Sequence, residues 1–178
     1  MTPVTLHGPR LILRPWREAD LDPLFAINGD PESMRHFPAP LTRAESDAWA
    51  ERMQTHIETH GWGFWVAEER GGAPFVGVVG LMHIPWTARF TPAVEVGWRI
   101  AAIHRRRGFA FEAARMAIAF GLGTLGLPDI VAFTVPGNAA SWRLMERLGM
   151  ARAGEFDHPR LPEGHALRRH LLYRIAPP

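Results

Sequence analysis

Two reactive amino acids are missing from this sequence of 178 residues, which contains neither cysteine nor lysine. The absence of cysteine excludes disulfide bonds, thiolate ligands for zinc and a cysteine nucleophile. The absence of lysine excludes a Schiff base between a lysine amine and a carbonyl substrate. A chain without cysteine is compatible with the reducing cytoplasm, which is the compartment that we expect for this protein.

Long apolar runs are missing as well. No stretch approaches the roughly 18 apolar residues of a membrane-spanning helix, and residues 1–7 show no basic region followed by an apolar segment. We therefore expect no membrane partner and no signal peptide. The composition, 47% hydrophobic and 21% charged, is typical of a folded globular chain, and the length predicts one domain over residues 1–178.

All 20 residues of the lysine and arginine total are arginines, and the formal net charge is only +2. The sequence pI of about 10.3 is high because arginine keeps its charge at high pH. Acidic residues nearly balance the arginines and are interspersed with them, so no basic patch of the kind that binds nucleic acid is present. We expect no nucleic-acid partner.

The apolar patterns predict alternating strands and helices. Strands are expected near residues 11–14, 63–68, 75–83, 94–100 and 130–135, with two more after residue 150. Helices are expected from 20 to about 28, from 42 to about 60, from 108 to about 122 and from 140 to 148. The third helix is a crossover between two strands, which should therefore be parallel. The predicted fold is α/β or α+β with a mixed sheet.

Local signals add three expectations about the helices. Thr42 and Glu45 stand three residues apart and predict a capping box. Asp20 is expected to cap the first helix. Glu112 is expected on the polar side of the third helix, opposite the small apolar residues that should face the sheet.

The loop before the third helix predicts an anion site. Backbone N–H groups of a first helical turn have no partner within the helix, and the helix dipole favours negative charge there. The loop is neither a Walker A motif nor the three-glycine loop of dinucleotide-binding folds. The alternative is an ordinary helix start with solvated arginines. The candidate pyrophosphate ligands are Arg105, Arg106, Arg107, Gly108, Phe109 and Ala110.

These residues match a family pattern. Arg105, Gly108 and Ala110 occupy the defined positions of R/Q-x-x-G-x-G/A, the pyrophosphate motif of the GNAT acetyltransferase superfamily, which the sequence resembles. The resemblance extends in order over nearly the whole chain and is to the branch that includes RimJ and RimL. Its other segments are Leu11-x-Leu13-Arg14-Pro15, Asp30-Pro31-Glu32, Glu95 to Ile100, Asn138-x-x-Ser141 and Glu146 to Met150.

The resemblance implies a mostly antiparallel central sheet with one splayed parallel pair, flanked by about four helices. It implies acetyl-CoA as the acyl donor and a primary amine as the acceptor. The best match for the acceptor is the N-terminal α-amino group of a protein, as for RimJ and RimL. A small-molecule amine such as a polyamine or an aminoglycoside is the alternative, and a non-catalytic acyl-CoA-binding module is a second one. A homodimer is left open.

The resemblance also assigns residues to the donor. Trp98, Arg99 and Ile100 belong to the strand that holds the pantetheine arm, and Asn138 would bind the CoA arm. Many members have a tyrosine where this chain has Met145, which cannot donate a proton. The branch that includes RimL has the serine of N-x-x-S instead, so the resemblance implies that Ser141 is the proton donor to the leaving thiolate. The alternative is that Asn138 and Ser141 only cap a helix.

Glu95 is the first candidate for the general base that takes the proton of the amine, because it is the only carboxylate in the central strand. The alternative is a structural ion pair with Arg99, which lies on the same face of the strand at the i, i+4 position. Reserve candidates stand in or near a late loop. They are Glu155, Asp157, His158 and His165.

The acceptor pocket is expected among aromatic residues. Trp86 and Phe90 belong to a proline-bounded loop and are the better candidates to line it, together with His158. The nine histidines do not predict a metal site, because the late pair His165 and His170 lacks a metal-ligand spacing. We expect no metal.

Overall fold

The computed structural model describes residues 1–177, which form an eight-stranded mixed sheet. The strands are Leu6–His7 (β1), Leu11–Arg14 (β2), Phe64–Glu69 (β3), Gly77–His83 (β4), Val94–Ile100 (β5), Ile130–Thr134 (β6), Ala151–Asp157 (β7) and Arg169–Ile175 (β8). Their order across the sheet is β1-β2-β3-β4-β5-β6-β8-β7. Only β5 and β6 are parallel neighbours in this described sheet, which confirms the predicted fold class.

Four α-helices join the described strands: Leu21–Asn28 (α1), Arg43–His60 (α2), Phe109–Gly123 (α3) and Ala139–Arg147 (α4). The capping box of α2 is confirmed, since Thr42 accepts from the backbone of Glu45 and the Glu45 carboxylate accepts from the backbone of Thr42. Over residues 1–177, no helix combines the length and the hydropathy that crossing a membrane requires.

The helices cover both faces of the sheet. Leu24 of α1 and Ala50 of α2 pack with Val66 and Val78 on one face. On the other face α3 buries Ala113, Ala114 and Ala117 completely, and these small side chains let the helix approach the strands closely. The sheet is therefore covered by α1 and α2 on one face and by α3 on the other.

The parallel pair is in register at a single position, where Glu95 of β5 lies beside Val131 of β6. On its other side β5 pairs with β4 along all seven residues, from Val94 opposite His83 to Ile100 opposite Gly77. Beyond Glu95, β5 is thus hydrogen-bonded on one edge and separates from β6 on the other. This opening is the splay that the family resemblance implies.

The expectation for Glu112 was wrong, because this residue of α3 is only 6% exposed. Its carboxylate accepts hydrogen bonds from the backbone N–H groups of Arg10 and Leu11 and from Nε of Arg10. A buried carboxylate needs such donors to offset its lost hydration. Glu112 therefore fixes the start of α3 to the segment that leads into β2.

Asp20 also has a role that differs from the expected cap. Its side chain makes no cap hydrogen bond to α1 and instead forms a bidentate pair with Arg14 of β2, with both N–O distances 2.8 Å. Nε of Arg14 donates to Glu68 of β3, and further bonds reach the carbonyls of Pro15 and Pro74. All five guanidinium N–H groups are thus used by a side chain that is 5% exposed.

Replacing Asp20 by alanine should destabilise the fold by about 3–5 kcal/mol, because it leaves the buried Arg14 charge without its main partner. The matched control is Asp22→Ala, since Asp22 also pairs with an arginine, Arg43, but is 84% exposed. That change should cost no more than about 0.5 kcal/mol. Urea unfolding of both variants measures the difference, and equal losses would contradict this account of the Arg14 pair.

Candidate active site

A cleft of about 1510 Å³ opens at the splay between β5 and β6. Its walls come from the two strands, the start of α3, the first turns of α4, helix α2 and the segment of residues 29–42 between α1 and α2. Most of the residues predicted for the site line this one cleft. They are Trp86, Glu95, Trp98, Arg99, Ile100, Arg105, Arg106, Gly108, Phe109, Ala110, Asn138, Ser141 and His158.

The start of α3 forms one end of the cleft. Gly108 precedes the helix in the left-handed conformation, with φ of +81°, and Arg106 also has a positive φ of +61°. Within residues 1–177 no side chain caps this helix, so its first-turn N–H groups face outward without an intrahelical acceptor. Arg105 lies across the same end, where it donates to the Ile100 carbonyl and to Ser33 Oγ.

Arg107 is placed differently from its two arginine neighbours. Its guanidinium binds Glu69 at 2.6 Å, contacts His104 and lies 4.5 Å from the ring centre of Phe109. It is not among the residues that line the cleft in the described chain. Of the three consecutive arginines, Arg105 and Arg106 thus line the cleft, whereas Arg107 packs against Phe109 at the start of α3 and binds Glu69.

Asn138 and Ser141 adopt the capping arrangement that was the alternative for them. Oδ1 of Asn138 accepts from the Ser141 backbone at 3.3 Å, while its Nδ2 donates to Thr134 Oγ1 at 3.0 Å. Both residues also line the cleft, as does the buried Met145. The helix cap is compatible with a role of Ser141 toward the acyl donor, because Asn138 bonds to the backbone N–H of Ser141 and leaves its hydroxyl group available.

Glu95 lies at the closed end of the splay and lines the cleft. Burial raises its pKa from 4.5 to about 7, although the positive charges of Arg160 and Arg99 oppose the shift. A carboxyl group with this pKa is present in both protonation states near neutral pH, as a general base requires.

Arg99 does not form the ion pair that was the alternative role for Glu95. Its Nη1 donates to Asn28 Oδ1 at 2.6 Å. Its guanidinium lies 4.6 Å from the ring centres of both Phe37 and Trp49, a cation–π arrangement. Among the described residues Arg99 has no carboxylate within ion-pair distance. Glu95 therefore lies within the electrostatic influence of Arg99 and Arg160 without forming an ion pair with either of them.

The aromatic residues divide between lining and support. Trp86 and His158 line the cleft, with ring centres 4.8 Å apart. Phe90 was also expected to line the pocket, but it is only 9% exposed, is not among the residues that line the cleft in the described chain, and packs against Trp86 and Phe156. Burial, together with the nearby charges of His170 and Arg160, lowers the pKa of His158 to about 4.

The reserve acid and histidine candidates lie elsewhere. Glu155 pairs with Arg152 and Arg169, and Asp157 also pairs with Arg169. Neither of these carboxylates nor His165 lines the cleft in the described structure. Of the late-loop candidates, only His158 contributes to the site.

A histidine cluster is the feature that sequence-based prediction missed. His56 and His60 lie in the last turns of α2, and His83 ends β4. One nitrogen of each ring lies within 4.8 Å of those of the other two. The sequence signal was the His56-x-x-x-His60 spacing, which places both rings on one helix face. The expectation of no metal considered only the late pair of histidines.

Comparison with known proteins places this geometry in a family. The sequence model of the Acetyltransferase (GNAT) domain matches residues 10–151. The chain belongs to the GNAT acetyltransferase family. It is accordingly an acyltransferase, and the expected class of enzyme is confirmed.

Individual relatives agree with this membership. The chain is 32% identical to the uncharacterized N-acetyltransferase YoaA of Bacillus subtilis, over 84% of each chain. An acetyltransferase structure from Agrobacterium tumefaciens is 25% identical, with a TM-score of 0.81 over 99% of this chain and 96% of that one. The structure of RimJ from Mycobacterium smegmatis with CoA-disulfide has a TM-score of 0.75 at 22% identity, over 99% of this chain and 90% of its own.

Stability should depend on pH through Glu95. Because its folded pKa of about 7 lies above the ordinary 4.5, the folded state holds the proton more tightly, and stability falls as pH rises between these values. Glu95→Gln removes this loss. As the pH rises from about 5 to about 8, the free energy of unfolding of the variant should increase by about 2–3 kcal/mol relative to that of the parent. Urea unfolding at several pH values measures this change. A difference that stays constant with pH would contradict the raised pKa.

Proposed function

We propose that this enzyme transfers an acetyl group from acetyl-CoA to a primary amine, preferentially the N-terminal α-amino group of a protein. The observation that carries the proposal is the opening between β5 and β6, with the uncapped start of α3 at one end and Glu95 at the other. The cytoplasm is the proposed compartment, because newly made proteins present their amino termini there. Membership of the RimJ and RimL branch is part of the same proposal.

The residues at the start of α3 fit a pyrophosphate. Outward-facing N–H groups, the helix dipole and the guanidinium groups of Arg105 and Arg106 all favour a doubly charged anion at that end. Beyond Glu95, the edge of β5 that faces β6 offers backbone groups to an extended amide-containing arm. Acetyl-CoA, when bound, supplies a thioester carbonyl that a neutral amine attacks.

Glu95 is proposed to take the proton of the attacking amine, directly or through water. An α-amino group has an ordinary pKa of about 7.7–8.0, so a base with a pKa of about 7 is well matched to it. A backbone N–H of β5 would stabilise the oxyanion that develops on the carbonyl. The hydroxyl of Ser141, at the opposite wall, would donate to the leaving thiolate.

Charge around the acceptor end favours an acceptor with one amine. Arg52, Arg99 and Arg160 line the cleft, and none has a carboxylate within ion-pair distance among residues 1–177. The opposing acidic groups are Glu95, the exposed Glu51 and Glu32, which is paired with Arg35. A polyamine or an aminoglycoside carries several positive charges that this excess of arginine would repel.

An acceptor panel tests the function. We expect acetyl-CoA to raise the melting temperature and to release free thiol fastest with peptides that have a free N-terminus. The matched control is the same peptide with a blocked N-terminus and an internal lysine. Mass spectrometry locates the acetyl group on the product.

The outcomes of this panel separate the alternatives. Faster turnover of spermidine or kanamycin than of any peptide would favour a small-molecule acceptor. Stabilisation by acetyl-CoA without thiol release from any amine would favour a binding module. No stabilisation by acetyl-CoA would overturn both the donor and the function.

Two variants separate chemistry from donor binding. Glu95→Gln should lower kcat about 10²- to 10⁴-fold at neutral pH, with the rise of kcat near pH 7 lost, while acetyl-CoA still raises the melting temperature. Gly108→Glu should abolish that stabilisation, because it puts a negative charge and a side chain at a position with φ of +81°. Circular dichroism checks that Gly108→Glu folds. Unchanged kcat in Glu95→Gln would place the base elsewhere.

A further inference from the structure

The histidine cluster forms a compact set of three imidazoles. Ring centres are 4.4 Å apart for His56 and His60, 5.1 Å for His60 and His83, and 5.6 Å for His56 and His83. The rings come from two different elements, since α2 contributes two and the end of β4 contributes one. His83 is exposed, so its side chain has room to rotate toward the other two rings.

His56 is held as metal-binding histidines are held. Its Nδ1 lies 2.9 Å from the carbonyl oxygen of Trp62, which can only accept, so Nδ1 carries the proton and Nε2 presents a lone pair. Nε2 is buried and has no hydrogen-bond partner among the described residues. Buried polar atoms are nearly always satisfied, so this lone pair points to a ligand.

We propose that His56, His60 and His83 bind a divalent transition-metal ion, with Zn²⁺ as the best match. Neutral imidazole nitrogens are preferred ligands of Zn²⁺, and three of them leave a fourth position for water or a substrate group. Nitrogens on one tetrahedral zinc ion lie about 3.3 Å apart. The ligand nitrogens lie within 4.8 Å of one another, so side-chain shifts of about 1 Å would close the site.

The position on α2 adds an electrostatic reason. His56 and His60 belong to the C-terminal part of a helix that ends at residue 60, where the helix dipole favours a cation. His56 and His60 also line the cleft that contains Glu95. The ion would thus join the end of α2 to the end of β4 beside the proposed acceptor end, and the site is independent of whether the acceptor is a peptide.

Zinc titration of the untagged, chelator-treated protein tests the site. A tag must be removed because it can bind metal itself and because the amino group of Met1 donates to the Glu58 carbonyl of α2. We expect one Zn²⁺ per chain by calorimetry, a raised melting temperature, and no competition from Mg²⁺, which prefers oxygen ligands. Co²⁺ in the same site should show the intense visible absorption of tetrahedral nitrogen coordination.

Variants decide whether these residues are the ligands. His83→Gln and His60→Ala should each weaken Zn²⁺ binding at least about 100-fold. The matched control is His7→Gln, because His7 is exposed on β1, away from the cluster, and should leave binding unchanged. Since His83 is exposed, its replacement should not unfold the protein. Equal zinc affinity in His83→Gln and the parent, or the absence of stoichiometric binding, would overturn the proposal. Acetyl-CoA binding by the metal-free protein is measured separately, so that a failure of the metal site is distinguished from a failure of the proposed function.

Discussion

The point at which β5 and β6 stop pairing determines the rest of the site. They share one register position, at Glu95 and Val131, because the α3 crossover makes them parallel while β6 then follows β8 and β5 follows β4. The backbone edge of β5, the start of α3 and the Glu95 carboxyl therefore meet in one place for a topological reason.

Residues of α1 and α2 influence the pKa of Glu95 through the position of Arg99. The Arg99 guanidinium is held by Asn28 of α1 and lies between Trp49 and Phe37, so it does not reach the carboxylate four residues before it. A direct ion pair would favour the ionised form and lower the pKa of Glu95, which would make it a weaker base in the proposed reaction. Holding the cation close without contact lets desolvation dominate, and the pKa is about 7.

The fold and the cleft-lining position of the residues at the start of α3 were predictable, because both depend on local patterns. Strand periodicity, the Thr42 capping box and the glycine at 108 act over a few residues, and the parallel pair follows from one crossover. Burial of Glu112 and the bidentate pair of Asp20 were not predictable, since Arg10 and Arg14, their partners, are brought to them by tertiary packing. The same holds for Arg107, whose neighbours in sequence line the cleft while it binds Glu69.

The two ends of the cleft differ in the kind of group that they use, and this difference explains why one end has a motif and the other does not. The proposed donor end would use backbone N–H groups, which need only a glycine and a helix start at a fixed spacing. The proposed acceptor end is lined by side chains from α2, from residues 29–42 and from the loops at Trp86 and His158. A single substitution there can alter the groups that an acceptor would meet. A metal ion on His56, His60 and His83 would fix α2 relative to β4 at this variable end. Acceptor choice would then depend on the rigidity of this wall as well as on its charge, whereas the donor end would be unaffected.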